Sequence, residues 1–218
     1  MNPLRFIAGL CLFTTSVCAD WVVVQKATSE GRSEEIHIRL KGDQTRLDAG
    51  KEMTIIAGAD DGQMVMLMHQ QKVMMRMKAD TLKGVMALAG AALGGDQAVA
   101  KPVATGMKEK IGEYDCEIFT WSGKMGSGKF WVARDFPGYQ SLSTAQDKLM
   151  KAMGNPASSF TPQASDFPGM VIKSEMQVMG KTSISELVSA KEEEVDAAIF
   201  NLPTDYREMQ MPGLPGGK

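Results

Sequence analysis

Histidine, cysteine and aromatic residues are scarce: two His, three Cys and 6% Phe, Trp and Tyr in 218 residues. No HExxH, CxxC or Gly-x-Ser-x-Gly occurs, so the motifs of zinc sites, redox dithiols and hydrolase nucleophiles are absent. Gly126-Ser127-Gly128 lacks the Lys-Ser/Thr ending of a phosphate-binding loop and reads as a hairpin loop. A formal net charge of −2 gives no excess of either sign for nucleic acid or an anionic membrane surface. No apolar run reaches the roughly 20 residues that a helical membrane span needs. Internal repeats and a Pro/Ser-rich interdomain linker are also missing, which points to one domain.

The apolar run that is present stands at the start. Arg5, Phe6–Val17 and Val17-Cys18-Ala19 have the order of a secretory signal peptide, with small residues before Asp20. Cleavage after Ala19 would place the protein in the periplasm with Cys116 as its one thiol, and hence with no internal disulfide. Acylation at Cys18 is the lesser alternative, because Thr15-Ser16-Val17 offers no small residue next to the cysteine. Residues 20–211 then form a single domain, and 212–218, PGLPGGK, a disordered tail.

The domain reads as an antiparallel meander. Ile36, Ile38 and Leu40 alternate with His37, Arg39 and Lys41, as in a half-buried strand. Gly42-Asp43, Gly50-Lys51 and Asp60-Asp61-Gly62 separate the strands that follow, and His37 falls opposite Asp48. Thr105–Asp135 reads as three strands. A turn at Gly112-Glu113 pairs Lys110 with Asp115 and Lys108 with Glu117, leaving Met107, Ile111, Tyr114, Cys116 and Ile118 on the other face. The loop 123–128 returns the chain, and a last hairpin turns at Gly180-Lys181. Helices are expected over 80–93 and 137–154, the latter with Leu142, Ala145, Leu149, Ala152 and Met153 in its apolar stripe. Asn155–Pro168 is expected to be a long exposed loop and 195–200 a short helical turn.

Two further features narrow the function. Thr105, Gly106, Lys108, Ile111, Tyr114 and Cys116 form T-G-x-K-x-x-I-x-x-Y-x-C, followed by Trp131-Val132-Ala133-Arg134-Asp135 and, late in the chain, Phe200-x-x-Pro203-x-x-Tyr206. This pattern resembles an uncharacterised bacterial exported domain family grouped with the periplasmic lipoprotein-carrier half-barrels (LolA/LolB-like). The resemblance implies binding of apolar cargo and supplies no catalytic residue. The fold expected is mainly β: one curved antiparallel sheet of ten or eleven strands, a half-barrel with helices on its concave side.

The second feature is methionine, 18 in all. In 63–78, QMVMLMHQQKVMMRMK, a loop at Gln70-Gln71 sets Met68 opposite Val73, Met66 opposite Met75 and Met64 opposite Met77. One face of that hairpin becomes almost wholly methionine, whereas Val65, Leu67, Met74 and Arg76 take the other. Three readings fit: core filling, a soft surface for apolar cargo, or a Cu(I) site from Met64, Met66, Met68 and His69. Cargo ranks above copper because a sheet face spreads its side chains over a plane. The expected ligand site is Met64, Met66, Met68, Met75 and Met77 under Leu82 and Met86 of the first helix, for an acyl chain, lipid or lipoprotein segment. No cofactor and no catalytic set is expected, and no protein partner is identified. A buried structural role is expected for Cys116, whose cross-strand neighbour Glu109 would raise its pKa.

Overall fold

The computed structural model describes residues 20–59, 63–78, 84, 100–123, 126–144, 161–178 and 180–209. The expected helix 80–93, the leader 1–19, the turn 60–62 and the tail 212–218 lie outside these residues, apart from Gly84, as do Ala145, Leu149, Ala152 and Met153 of the second helix. Among the described residues, twelve strands form one open curved sheet. They are β1 (Trp21–Ser29), β2 (Arg32–Lys41), β3 (Gln44–Ala49), β4 (Met53–Ala59), β5 (Gln63–Met68) and β6 (Val73–Lys78), then β7 (Val103–Ile111), β8 (Tyr114–Gly123), β9 (Gly126–Ala133), β10 (Met170–Val178), β11 (Lys181–Glu192) and β12 (Arg207–Met209). The order is β12-β6-β5-β4-β3-β2-β1-β11-β10-β9-β8-β7. All pairs are antiparallel and consecutive in the chain, β9 and β10 being joined by the long segment 134–169, except two long-range ones. β1 joins β11 antiparallel, and β12 lies parallel to β6. Among the described residues no helix is long and apolar enough to cross a membrane.

Short turns set the registers the sequence predicts. Lys110 pairs with Asp115, Lys108 with Glu117 and Glu109 with Cys116 around Gly112-Glu113. His37 pairs with Asp48. The methionine hairpin has the expected pairs Met64–Met77, Met66–Met75 and Met68–Val73. Residues 197–200 form the expected helical turn.

Several expectations are corrected. The sheet has a twelfth strand, because Arg207–Met209 is too short and too polar to announce itself by alternation. The last hairpin closes one residue earlier than expected, since Val178 pairs with Lys181 and Lys181 already belongs to β11. Gly126-Ser127-Gly128 is strand, not loop: Gly123 pairs with Gly126. The reason is space, because a Cβ at Gly126 would stand 1.9 Å from the Gln177 carbonyl oxygen on β10. Met107, expected on the apolar face, is 56% exposed and lies within the register irregularity between Ala104 and Lys108. Within Asn155–Pro168, the described part has a 3₁₀ turn at Ala164–Asp166 and ends at the buried Phe167.

Each face of the sheet has its own packing. On one, Trp21, Val23, Leu40, Cys116, Ile118, Trp131, Ala133, Met170 and Ile172 make a core with Phe136 and Leu142. Residues 139–144 are the described start of the second helix, α1, and bring Leu142 onto that face. On the other face, Ile56, Val65 and Leu67 pack under the C-terminal segment through Val195 and Phe200. Phe119, Trp121, Phe130 and Val132 pack there under Phe167. Cys116 is 1% exposed, and burial, with Asp115 and Glu109 nearby, pushes its thiol pKa up. That is the inert structural thiol expected.

Gly58 shows how tightly the meander is folded. It has a φ of +79° at the irregularity between Ala57 and Ala59, and a Cβ there would lie 1.9 Å from the Asp43 carbonyl oxygen. Gly58→Ala is therefore expected to cost about 1–3 kcal/mol. Urea unfolding checks this, and a change within about 0.5 kcal/mol would mean that the bend relaxes freely.

Candidate ligand surface on the methionine face

The pairings of β1 to β6 align side chains in rows across the sheet. The first row is Trp21–Leu40–Thr45–Ala57–Met64–Met77. The second is Val23–Ile38–Leu47–Ile55–Met66–Met75, and the third is Gln25–Ile36–Ala49–Met53–Met68–Val73. All three project from the Trp21 face, because the side-chain period of a strand is two. Only Thr45 and Gln25 interrupt the apolar surface. The first row is wholly buried. In the second, Ile38, Leu47, Ile55, Met66 and Met75 are half-buried, and in the third so are Ile36, Met53 and Met68.

The expected ligand residues Met64, Met66, Met68, Met75 and Met77 are thus brought onto one face, two of them buried and three partly accessible. Leu82 and Met86 lie outside the described residues. The larger contribution that the hairpin alone did not reveal comes from Ile36, Ile38, Leu47, Met53 and Ile55. Alternation in β2 gave the signal for two of these, but their joining to the methionines depends on register across four strands.

His69 is not part of this surface. It follows Met68 and turns to the opposite face, where a polar chain fastens the C-terminal segment. Arg39 and Arg46 are direct cross-strand neighbours there, and Asp48 lies between them. Arg39 Nη1 donates to Asp48 Oδ2 at 2.5 Å, and Arg46 Nε donates to both carboxylate oxygens at 2.9 and 3.0 Å. Arg46 Nη1 also reaches the Ile199 carbonyl at 2.6 Å. Thr54 Oγ1 gives its proton to Asp48 Oδ1 at 2.5 Å, so it accepts from His69 Nε2–H at 2.8 Å. His69 Nδ1 then accepts from the Tyr206 hydroxyl at 2.7 Å. Burial alone would raise the Asp48 carboxyl, but hydrogen bonds from Arg46 and Thr54 and the charges of Arg46 and Arg39 outweigh it, leaving the pKa below the ordinary carboxylate value. Tyr206, from the late Phe-x-x-Pro-x-x-Tyr motif, thereby has a physical role: it anchors the chain that leads into β12. Lys72–Asp205 and Arg76–Glu208 ion pairs accompany it.

The same face has an open cavity of about 500 Å³ lined by Gln44, Gln63, Val65, Arg76, Phe200 and Leu202, among others. Its amide and guanidinium groups suit water better than an acyl chain. Among the described residues, no group of three or more His, Cys, Asp and Glu could hold a metal ion. Glu192, Glu193 and Glu194 are all exposed.

Residues 22–206 match the family described as "Domain of unknown function (DUF4412)". No curated protein matches the chain. Among solved structures, PNGF-II in its C2 crystal form is similar over 89% of this chain and 31% of its own, at 13% identity and a TM-score of 0.43. The chain therefore spans about a third of that protein. The Mycobacterium tuberculosis lipoprotein LppX is similar over 82% of this chain and 88% of its own, at 9% identity and a TM-score of 0.44. A Vibrio parahaemolyticus domain described as an outer membrane lipoprotein-sorting protein is similar over 85% and 91%, at 11% identity and a TM-score of 0.38. The family match agrees with the resemblance drawn from the Thr105–Cys116 and Phe200–Tyr206 motifs. At such identities and TM-scores, these likenesses bear on neither the residues nor the ligand of this chain.

Proposed function

Since the chain belongs to the DUF4412 family, whose function is unknown, we propose that it is a non-enzymatic, carrier-like periplasmic protein whose methionine face holds an apolar ligand: an acyl chain, a lipid or a lipoprotein segment. The observation behind this reading is the gradient across the three rows. A fully filled core would bury all of them alike. Instead, Met66, Met68 and Met75 join Ile36, Ile38, Leu47, Met53 and Ile55 in a half-buried apolar strip. Completing the burial of one such side chain contributes up to about 1.5–3 kcal/mol, less the share already buried. Methionine suits the role because its unbranched thioether adapts to different chains. Export by residues 1–19 belongs to the same proposal.

The geometry does not favour copper. Met64, Met66 and Met68 share a face, with alternate residues about 6.8 Å apart along the strand. His69 lies on the other side, and both of its ring nitrogens are engaged by Thr54 and Tyr206. The polar chain from Tyr206 to Asp48 is spent on fastening the C-terminal segment, which supports a binding role over a catalytic one.

The purified protein is expected to bind a fluorescent fatty acid saturably, and Met66→Lys with Met75→Lys is expected to weaken that binding at least tenfold, about 1.4 kcal/mol or more. Unchanged affinity in the double variant would remove the methionine face from the site. Stoichiometric Cu(I) uptake without lipid binding would overturn the carrier reading. Binding of neither would leave a ligand-free interaction module.

A further inference from the structure

The apolar rows of the methionine face are of two chemical kinds. In the second row, Val23, Ile38, Leu47 and Ile55 on β1 to β4 give way to Met66 and Met75 on β5 and β6. The methionines of all three rows stand directly opposite one another: Met64 with Met77, Met66 with Met75, and Met53 with Met68. Opposite residues have Cβ atoms about 4.5–5.5 Å apart, so six thioethers form one block over β4 to β6.

Burial divides that block. Met64 and Met77 are 7% and 6% exposed. Met53, Met66, Met68 and Met75 are half-buried. Met107 on β7 and Met209 on β12 stand further out, at 56% and 40%, away from the block. Cys116 is 1% exposed and does not compete for an oxidant in solution.

Valine, leucine and isoleucine are inert to mild oxidants, whereas a thioether is not. The sulfur lone pair takes the outer oxygen of a hydroperoxide and the O–O bond breaks. The proton of that oxygen passes to the leaving one, which departs as water or an alcohol. Sulfur loses two electrons and the peroxide gains them. The product is a polar, chiral sulfoxide. At a half-buried position its oxygen reaches water, so the fold tolerates it. An acyl chain laid over the same position would bury that oxygen without a donor, which opposes binding. Met64 and Met77, where a sulfoxide would damage the core, are shielded by their burial.

We propose that Met53, Met66, Met68 and Met75 are a modification site, at which an oxidant of the hydroperoxide class turns the thioethers into sulfoxides and the face loses its affinity for apolar ligand. This rests on the apolar-ligand reading above and adds its regulation by oxidation.

The full chain is treated with limiting hydrogen peroxide and mapped by peptide mass spectrometry, with binding of the fluorescent fatty acid measured on the same samples. Met53, Met66, Met68 and Met75 are expected to gain oxygen before Met64 and Met77, and affinity to fall about tenfold or more as they do. Fatty acid at about ten times its Kd is expected to slow those four about tenfold and to leave Met107 and Met209 unprotected. Methionine sulfoxide reductases for both epimers are expected to restore binding. A variant with Leu at positions 53, 66, 68 and 75 is expected to have the same affinity before and after peroxide, whereas Met107→Leu with Met209→Leu is expected to remain sensitive. Unchanged affinity with the four oxidised would overturn the modification site and leave the apolar site standing. So would loss of binding only once Met64 and Met77 are oxidised, or a loss that the reductases do not reverse. Failure of untreated protein to bind the fatty acid would overturn both readings.

Discussion

Replacing Leu142 with Ala is expected to destabilise the protein by about 2–5 kcal/mol, seen as a lower urea midpoint at an unchanged slope. Leu142 is 0% exposed and is the described anchor of α1 on the Trp21 face. The surrounding contacts hold the helix start rigidly, so the cavity has little means of closing. Trp21 Nε1 donates to Ser141 Oγ at 3.2 Å, and the Tyr139 hydroxyl donates to the Phe167 carbonyl at 3.0 Å. The Leu142 N–H itself bonds the Gly138 carbonyl at 3.1 Å. A loss below about 0.5 kcal/mol would mean that α1 is dispensable to this core.

Asp48→Asn is expected to be of similar size, about 2–4 kcal/mol at neutral pH. Arg39 and Arg46 face one another across β2 and β3, and like charges in that position repel. Asp48 offsets that repulsion and also accepts the Thr54 hydrogen bond that orders His69 and Tyr206. The amide has no charge to offer two guanidinium groups. A pH dependence follows from the same groups. The folded-state pKa of Asp48 is lowered, so its contribution is full above the ordinary carboxylate value of 3.8 and is lost as pH falls through the folded-state value. The stability gap between the two proteins should therefore narrow below about pH 4. Chemical denaturation at a series of pH values measures it. A gap that stays constant into acid would show that Asp48 acts through shape rather than charge.

The methionine hairpin and the Lys110–Asp115 hairpin were legible because a two-residue turn between alternating runs sets both register and face locally. His37–Asp48 was legible for the same reason. Reading failed where a remote backbone intervened. Gly126 looks like a loop residue until β10 passes within 2 Å of where its Cβ would be. Arg207–Met209 has no strand pattern of its own and is paired because Tyr206 and Asp205 dock on His69 and Lys72. Geometry disfavours the copper set: Met68 ends β5 on the methionine face, and His69, the first residue of the turn, is engaged by Thr54 and Tyr206 on the other.

Alone, the amino-acid sequence determined the meander, most of its turns and which side chains share a face, since strand periodicity and short-turn geometry are local. It also determined that Cys116 would be a poor nucleophile, because the hairpin sets Glu109 beside it. Tertiary structure decided the rest. Joining β1 to β11 merges the two halves of the chain into one sheet, and this alone brings Trp21 and Trp131 into one core. It also decided that the C-terminal segment covers the Arg46 face and not the methionine face. Those outcomes depend on contacts between residues more than a hundred positions apart, whose free energy comes from mutual burial that no local pattern encodes.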